Sequence, residues 1–362
     1  MAKGLQQAQI AADTLRPFGF KNLIINGAHN FWQRGTSFAC SGATSTSLTA
    51  DRFKAAWNLA AGAFTVSQET SILPDATVGN CLKVACTTIR TMAAGEFVYV
   101  NQLVEGYNIR AVSQSKVTLS FWVRSNKTGI YCLGFLNSGV DRAWVAEYTI
   151  NSANVWEKKI VTIDLSVGTA SGTWDYASGT GLHVRFALAV GATYQTTKDT
   201  WQNAQYFGTS SQVNFMDTNT NVIYISEVQL EKGDVATDFE RRLYGQELAL
   251  CQRYFEKSYD VTVNPGTVTD VGDDFIRMQG AQQTHEFMSR FAVVKRGSPV
   301  VTWYSPATGT AARIRDTTAA ADRTISGSAY ASQGCAGAAL TAAGVGADGS
   351  TETGHWTADA EL

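Results

Sequence analysis

The chain has 362 residues, a formal net charge of −2 and only 17% charged residues, against the usual quarter. That length suits two domains, and a near-neutral chain offers no basic footprint for a nucleic-acid partner. Gly, Ala, Ser and Thr take the place of charge, which favours strands, turns and subunit contacts over a highly solvated monomer.

Residues 1–20 carry Leu5, Ala8, Ala12 and Leu15 on one helical side and stop at Pro17. So short an amphipathic helix is marginal alone; it is expected to dock against another chain or the body, or to fray. The segment lacks the apolar core of a signal peptide, and no apolar run reaches the roughly 18 residues of a membrane span. Folding in a cytoplasm, with no membrane insertion, is the expectation. Cys40, Cys81, Cys86, Cys132, Cys251 and Cys335 are scattered, without CxxC or matched metal spacing, as free thiols in a reducing compartment would be.

From Asn22 to about Glu240 the pattern is β throughout. Val117–Val123, Tyr131–Phe135, Trp144–Ile150, Ile160–Leu165, Val184–Val190 and Val222–Leu230 alternate with a period of two,. Turn clusters such as Ser125–Gly129 and Ser178–Gly181 separate them. Many short strands with turn-rich spacers predict a two-sheet antiparallel sandwich, and no fixed-period repeat marks a propeller or solenoid. After Lys232-Gly233-Asp234 the period changes. Leu248, Cys251 and Phe255 recur at helical spacing, as do Leu250 and Tyr254, predicting a helix over Gly245–Lys257. Beyond it, Phe275–Met278, Glu286–Val294 and Val300–Tyr304 read as strands. Residues 306–354 are rich in Ala, Gly and Thr, with too little bulk to fill a core alone; packing against identical neighbours is favoured over disorder. The closing HWTADAEL reads as an anchored end. The helix and tail make Leu248, Cys251, Phe255, Trp356 and Leu362 the candidate oligomerisation residues.

Catalytic constellations are thin. His29, His183, His285 and His355 are dispersed, and no HExxH, GxSxG, P-loop or dinucleotide motif occurs,. Glycan hydrolysis needs two carboxylates about 5–10 Å apart in a cleft. Asp273 and Asp274 are adjacent and would point to opposite faces of a strand, and any pairing of Glu147, Glu157, Asp164 or Asp175 is open. No enzyme, no catalytic residue and no metal ligand is expected.

Binding is the stronger expectation. Sugar recognition needs flat aromatic faces and side chains that match hydroxyls. In the strand around Phe121, Val117, Leu119, Phe121 and Val123 face one way, while Thr118, Ser120, Trp122 and Arg124 face the other. Trp122 among polar neighbours either stacks on a saccharide or is covered by a loop or a neighbouring subunit. Trp144 and Tyr148 share a face with Ala146 and Ile150, as core residues would. Trp174, Tyr176, Tyr194, Trp201, Tyr206 and Phe207 fall in loop text, where recognition tends to sit. Of these, Trp122, Arg124, Trp174, Tyr176, Tyr194, Trp201 and Tyr206 are the candidate ligand contacts. The sequon Asn126-Lys127-Thr128 has no role without secretion.

Several phrases also carry a family likeness. NLIINGAHNFWQRGTSF (Asn22–Phe38) with TADRFKAAW (Thr49–Trp57), VTLSFWVRSNKTG (Val117–Gly129), the run from Val222 to Tyr259, and HWTADAEL (His355–Leu362) resemble bacteriophage tail-fibre and receptor-binding-type virion proteins with a carbohydrate-binding-module-like jelly roll. Ala28-His29-Asn30 departs from the acidic or apolar residue more usual there. The resemblance implies an all-β, antiparallel jelly-roll sandwich over 22–241, a linker helix over 242–258 and a smaller β-rich trimerisation or tip domain over 259–362. It also implies a homotrimer on the virion, docked to other tail proteins through residues 1–21 and contacting host-surface polysaccharide. Jelly rolls of this type often hold a structural calcium, with no ligand set marked here. A collar or baseplate adaptor and a polysaccharide-degrading tail spike are the alternatives.

Overall fold

The computed structural model describes residues 20–75, 77–277, 285–325, 331–340 and 350–362. Apart from Phe20 and Lys21, the expected docking segment 1–21 lies outside them, as do parts of the small-residue tail. Strands β1 (Ser37–Ser41), β4 (Ala63–Glu69), β5 (Cys81–Thr88), β7 (Lys116–Ser125), β10 (Glu157–Asp164) and β13 (Val222–Lys232) build one sheet, ordered β1-β4-β5-β13-β7-β10. Strands β2 (Ser45–Leu48), β3 (Phe53–Asn58), β6 (Phe97–Glu105), β8 (Gly129–Leu136), β9 (Ala143–Ile150), β11 (Thr180–Val190) and β12 (Trp201–Gln202) build a second, ordered β12-β9-β8-β11-β6-β3-β2. All their pairings are antiparallel, and the chain passes repeatedly between sheets, giving a jelly-roll sandwich. The inward residues of β7, Val117, Leu119, Phe121 and Val123, are fully buried. Phe121 meets Phe186 and Tyr148 edge-on at ring separations of 5.1 and 5.2 Å, the geometry aromatic quadrupoles favour.

Two local expectations change. The alternation from Val222 to Leu230 is not continuous: register shifts between Ser226 and Gln229, where Glu227 has φ 49°. This bulge moves the inward set from Ile223 and Ile225 to Val228 and Leu230,. The helix is shorter than predicted. Helix α1 spans Tyr244–Gln252, and Phe255–Lys257 is strand β14, paired with Asp359–Thr357. Phe255 fits the helical period locally, but long-range pairing overrides propensity.

The rest forms a smaller β body. Strands β15 (Asp274–Arg277), β16 (His285–Arg290), β17 (Val300–Tyr304), β18 (Arg313–Asp316), β19 (Ala321–Thr324) and β20 (Cys335–Leu340) lead to β21 (Thr351–Asp359). Strand β21 is the hub, pairing with β14, β15, β17 and β18. The closing residues are therefore the centre of this sheet. Trp303, Ile314, Trp356 and Ala358 fill its small core.

The phrases of the family likeness converge in space. Asn22 binds the bulge through Val228 O and Leu230 N, at 3.1 and 3.0 Å, and Gln102 clamps both backbone polar groups of Ile25 at 2.8 Å. Ile25 and Phe31 then pack on Cys251 and Tyr254. Glu105 receives Arg253 at 2.7 Å and the Tyr254 hydroxyl at 2.6 Å. Arg34 reaches Asp359 at 3.0 Å, Arg52 pairs with Glu361, and Arg296 donates to Ser178 O at 2.7 Å. Burial disfavours the Arg34 cation, but Glu361, Asp359 and Asp51 outweigh it and raise its pKa. These charge pairs and hydrogen bonds tie the opening segment, the sandwich and the chain end into a knot, although Arg34 Nε, Arg52 Nε and Glu361 Oε1 are buried without a hydrogen-bond partner.

That geometry corrects the oligomerisation set. Cys251 and Phe255 are buried in the knot and Trp356 in the C-terminal core, while Leu248 and Leu362 pack half-buried around Cys251. Their own chain already covers these surfaces.

His29, the departure within the first phrase, turns the chain at φ 55° and buries its ring 4.4 Å from Phe53. Neither ring nitrogen has a partner, and burial lowers its pKa to about 3. Burial does the same to His183, assisted by Arg185 and Lys54. A folded pKa below the unfolded value near 6.5 means that unfolding takes up protons. Stability is therefore full above about pH 6.5 and falls as pH drops, by about 1.4 kcal/mol per pH unit per histidine. Urea titrations between pH 7 and 5, above the range of ordinary carboxylates, should show this slope, and His29→Phe should make it shallower. An unchanged slope would contradict the assignment.

Candidate functional site

The alternation of β7 sends Thr118, Ser120, Trp122 and Arg124 to the outer face of the six-stranded sheet. Half of that face is closed. Thr118 Oγ1 donates to Gly233 O at 2.8 Å, Gln229 and Glu231 bind the segment around Thr237, and Thr118 and Ser120 are buried. The other half is partly exposed, and there two cross-strand rows build a strip.

In the first row, Lys83, Tyr224 and Arg124 stand opposite one another on β5, β13 and β7. Lys83 Nζ and Arg124 Cζ each lie 5.8 Å from the Tyr224 ring centroid, within cation–π range. Trp156, just before β10, lies 6.2 Å from the same ring. In the second row, Ser226, Trp122 and Lys158 stand opposite one another on β13, β7 and β10. Trp122, Arg124, Trp156 and Lys83 are half-buried and Lys158 is exposed, whereas Tyr224, at 7% exposure, and Ser226 are buried among them. Arg124 Nε has no acceptor. A sheet places such neighbours about 5 Å apart across strands and about 7 Å apart along them. The strip thus offers flat aromatic faces beside donors at saccharide dimensions.

The loop aromatics are used differently. Trp201 is only 7% exposed. Its Nε1–H donates to Asp164 O at 3.0 Å, and a Cβ on Gly168 would fall 2.3 Å from its ring. Trp201 is therefore a packing residue, closed to a ligand. Trp174 lies 6.1 Å from Trp201 and donates to Ser171 O, and with Tyr176 it packs half-buried on the core margin. Tyr194 stacks on Phe207 at 5.0 Å, and Tyr194 and Tyr206 flank a cluster on the outer face of the seven-stranded sheet. Phe207 seats on Gly134, where a Cβ would stand 2.4 Å from its own. Arg185, 3% exposed, lies 4.6 Å from the Tyr99 ring and 5.0 Å from that of Phe207. These side chains hold the 191–208 loop onto the sheet. Of the candidate ligand contacts, only Trp122 and Arg124 come together on one partly exposed face. Tyr224, Trp156, Lys83 and Lys158 join them unforeseen, although Tyr224 carries a legible signal as an aromatic at an outward position of an alternating strand.

The carboxylates considered for hydrolysis are engaged in local structure. Glu147 binds Thr209 and Lys198 at 2.7 and 2.9 Å. Burial pushes the Glu157 pKa up, but bonds from Lys159, Ser152 and Asn151 prevail and hold it at about 2. Asp164 caps Ser166 N, Asp175 accepts from Ala177 N, and Asp274 accepts from Trp356 Nε1 at 2.6 Å. Ser258 Oγ lies 2.9 Å from His355 Nδ1, but that imidazole is buried and its Nε2 faces Thr269 O. Among the described residues no group of three or more His, Cys, Asp or Glu could hold a metal ion. The described side chains therefore supply no carboxylate cage for the calcium that the resemblance implies,.

No protein-family model matches the chain, and no curated protein matches it. Among solved structures it is similar to the enzymatically active domain of bacteriophage CBA120 tailspike protein 4, at 11% identity and a TM-score of 0.32, covering 59% of this chain and 22% of that one. The chain thus spans less than a quarter of that tailspike chain. It is similar to the family 11 carbohydrate-binding module of a Clostridium thermocellum cellulosomal cellulase, at 13% identity and a TM-score of 0.28, covering 55% of this chain and 89% of that one. A third similar structure is TmCBM61 in complex with β-1,4-galactotriose, at 9% identity and a TM-score of 0.29, covering 59% of this chain and 100% of that one.

Proposed function

We propose that the chain is a non-catalytic, glycan-recognising subunit of a phage tail fibre or spike, assembled as a homotrimer and contacting host-surface polysaccharide through the outer face of the six-stranded sheet. The observation that carries this reading is the pair of half-exposed rings, Trp122 and Trp156, flanked by Arg124, Lys83 and Lys158 around the buried Tyr224 ring. Large aromatics on the solvent side of a sheet gain little from core burial. Their flat faces suit the C–H face of a pyranose, and the flanking donors suit its oxygens. One such strip binds weakly, and three copies on one fibre raise avidity without a new contact.

The virion placement, with residues 1–21 docking to other tail proteins, rests on the family likeness. Contact between copies fits the C-terminal body, where Phe275, Val300 and Met288 are 75%, 72% and 68% exposed, better than it fits the buried Cys251, Phe255 and Trp356. The solution mass should then be three times 39.0 kDa.

Binding of extracted surface polysaccharide by the full chain tests the reading. Trp122→Ala should weaken binding about tenfold, equal to about 1.4 kcal/mol, with the unfolding midpoint unchanged. Trp201→Ala should instead lower the midpoint. Undiminished binding by Trp122→Ala removes the site, and release of reducing ends removes the non-catalytic assignment.

A further inference from the structure

The strip is asymmetric in charge in a way that glycan binding alone does not require. Lys83, Arg124 and Lys158 stand on it, and Glu69 stands at its margin beside Lys83 at 3.6 Å. Glu227, at the bulge, is paired with Arg241 and also interacts with Lys158. Counting Lys83, Arg124 and Lys158 against Glu69 leaves two positive charges, on a chain whose net charge is −2. Glu69 is also engaged: it accepts the Ser71 hydroxyl at 2.6 Å and the backbone N–H groups of Thr70 and Ser71 at 3.0 and 2.9 Å. Hydrogen bonds from Ser71, aided by Lys83 against a burial cost, hold its pKa at about 2.

Among the described residues no carboxylate lies within ion-pair distance of Arg124 or Lys158, although Lys158 is near enough to Glu227 to favour its ionised form. Lys159, next to Lys158, is paired with Glu157 at 2.6 Å. The Arg124 guanidinium lies with its Cζ 5.8 Å from the Tyr224 ring centroid, and its buried Nε has no acceptor. A planar guanidinium positioned by an aromatic ring suits two-point recognition of an oxyanion. Lys158 stands opposite Trp122, so a ring stacked on Trp122 would have cations on two sides.

Resting on the glycan reading, we propose that the strip selects acidic saccharides, with Arg124 and Lys158 receiving an oxyanion substituent of the sugar whose ring stacks on Trp122. The shared chemistry is a carboxylate or sulfate on a pyranose. A neutral glycan would leave both cations without an oxyanion partner at the contact, which lowers specificity for it.

The test is affinity electrophoresis of the full chain against matched pairs: polygalacturonate with its fully methyl-esterified form, and dextran sulfate with dextran. At least one acidic member should bind about tenfold or more tightly than its neutral partner, the factor expected of one lost charge-assisted contact of about 1.4 kcal/mol. Which pair discriminates identifies the oxyanion. Arg124→Gln should remove most of that preference, and Arg124→Lys should retain part of it. Raising salt should weaken the acidic member selectively. Equal binding of acidic and neutral members, abolished by Trp122→Ala, would overturn the acidic preference and leave the glycan site standing. Loss of binding with Arg124→Gln but none with Trp122→Ala would mark nonspecific polyanion attraction and overturn the proposal. Binding to no member would overturn both readings.

Discussion

Gly27→Ala should leave no stably folded protein. Gly27 is where the first phrase of the chain crosses the bulge of β13: a Cβ there would stand 2.1 Å from Val228 O and 3.1 Å from Val228 C. The clash is with backbone, which has no rotamer to yield, and the same crossing carries the bond from Val228 N to Gly27 O at 2.9 Å. Relieving it means moving either the 22–27 segment, anchored through Asn22, Ile25 and Asn26, or a central strand. Overpacking alone costs about 1–3 kcal/mol, and losing the bond and the packing behind it adds more. The total is a large part of a typical stability of about 5–15 kcal/mol. Urea unfolding followed by tryptophan fluorescence should show loss of the cooperative transition or a greatly lowered midpoint. Gly95→Ala, with nothing within 4 Å of its Cβ position, is the control and should be near native. A native midpoint for Gly27→Ala would show that the knot does not form as described.

Arg52→Met should cost about 3–5 kcal/mol, the range for breaking a buried ion pair from one side. The Arg52 guanidinium pairs with Glu361, donates to Leu103 O at 2.6 Å and lies 3.4 Å from the Tyr254 ring centroid. Methionine keeps much of the volume but leaves Glu361 buried with only Arg34, at 3.5 Å. Arg52 comes from the sandwich and Glu361 from the chain end, so the loss should appear first as release of the C-terminal strand. Hydrogen exchange of β21 should accelerate more than that of β7. Equal acceleration of both would mean that sandwich and tail unfold as one cooperative unit, and no change in stability would contradict the role of the pair.

What is local in this fold is legible in the sequence. Strands β7, β8, β9, β11 and β13 are legible because one face of each packs on a core, and a period of two survives in composition. The stretch from Phe255 to Lys257 was not legible, because its partner lies about a hundred residues later and its spacing from Cys251 also satisfies a helix. The bulge at Glu227 likewise answers to the segment that crosses it. The same division holds at the site. Trp122 and Arg124 declare themselves by alternation within one strand, whereas Lys83 and Lys158 join only through cross-strand register. Trp201 and Tyr194 misled for a related reason: loop text does not reveal that its aromatics fold back onto Gly168 or Phe207.

The most direct test of the central claim is oxidative footprinting of tryptophans with N-bromosuccinimide, read by peptide mass spectrometry, with and without saturating polygalacturonate. The polysaccharide should protect Trp122 and Trp156 and leave Trp174 unchanged, with Trp201 and Trp356 unreactive in both states. Protection at Trp174 with none at Trp122, under conditions where the chain is bound, would contradict that claim.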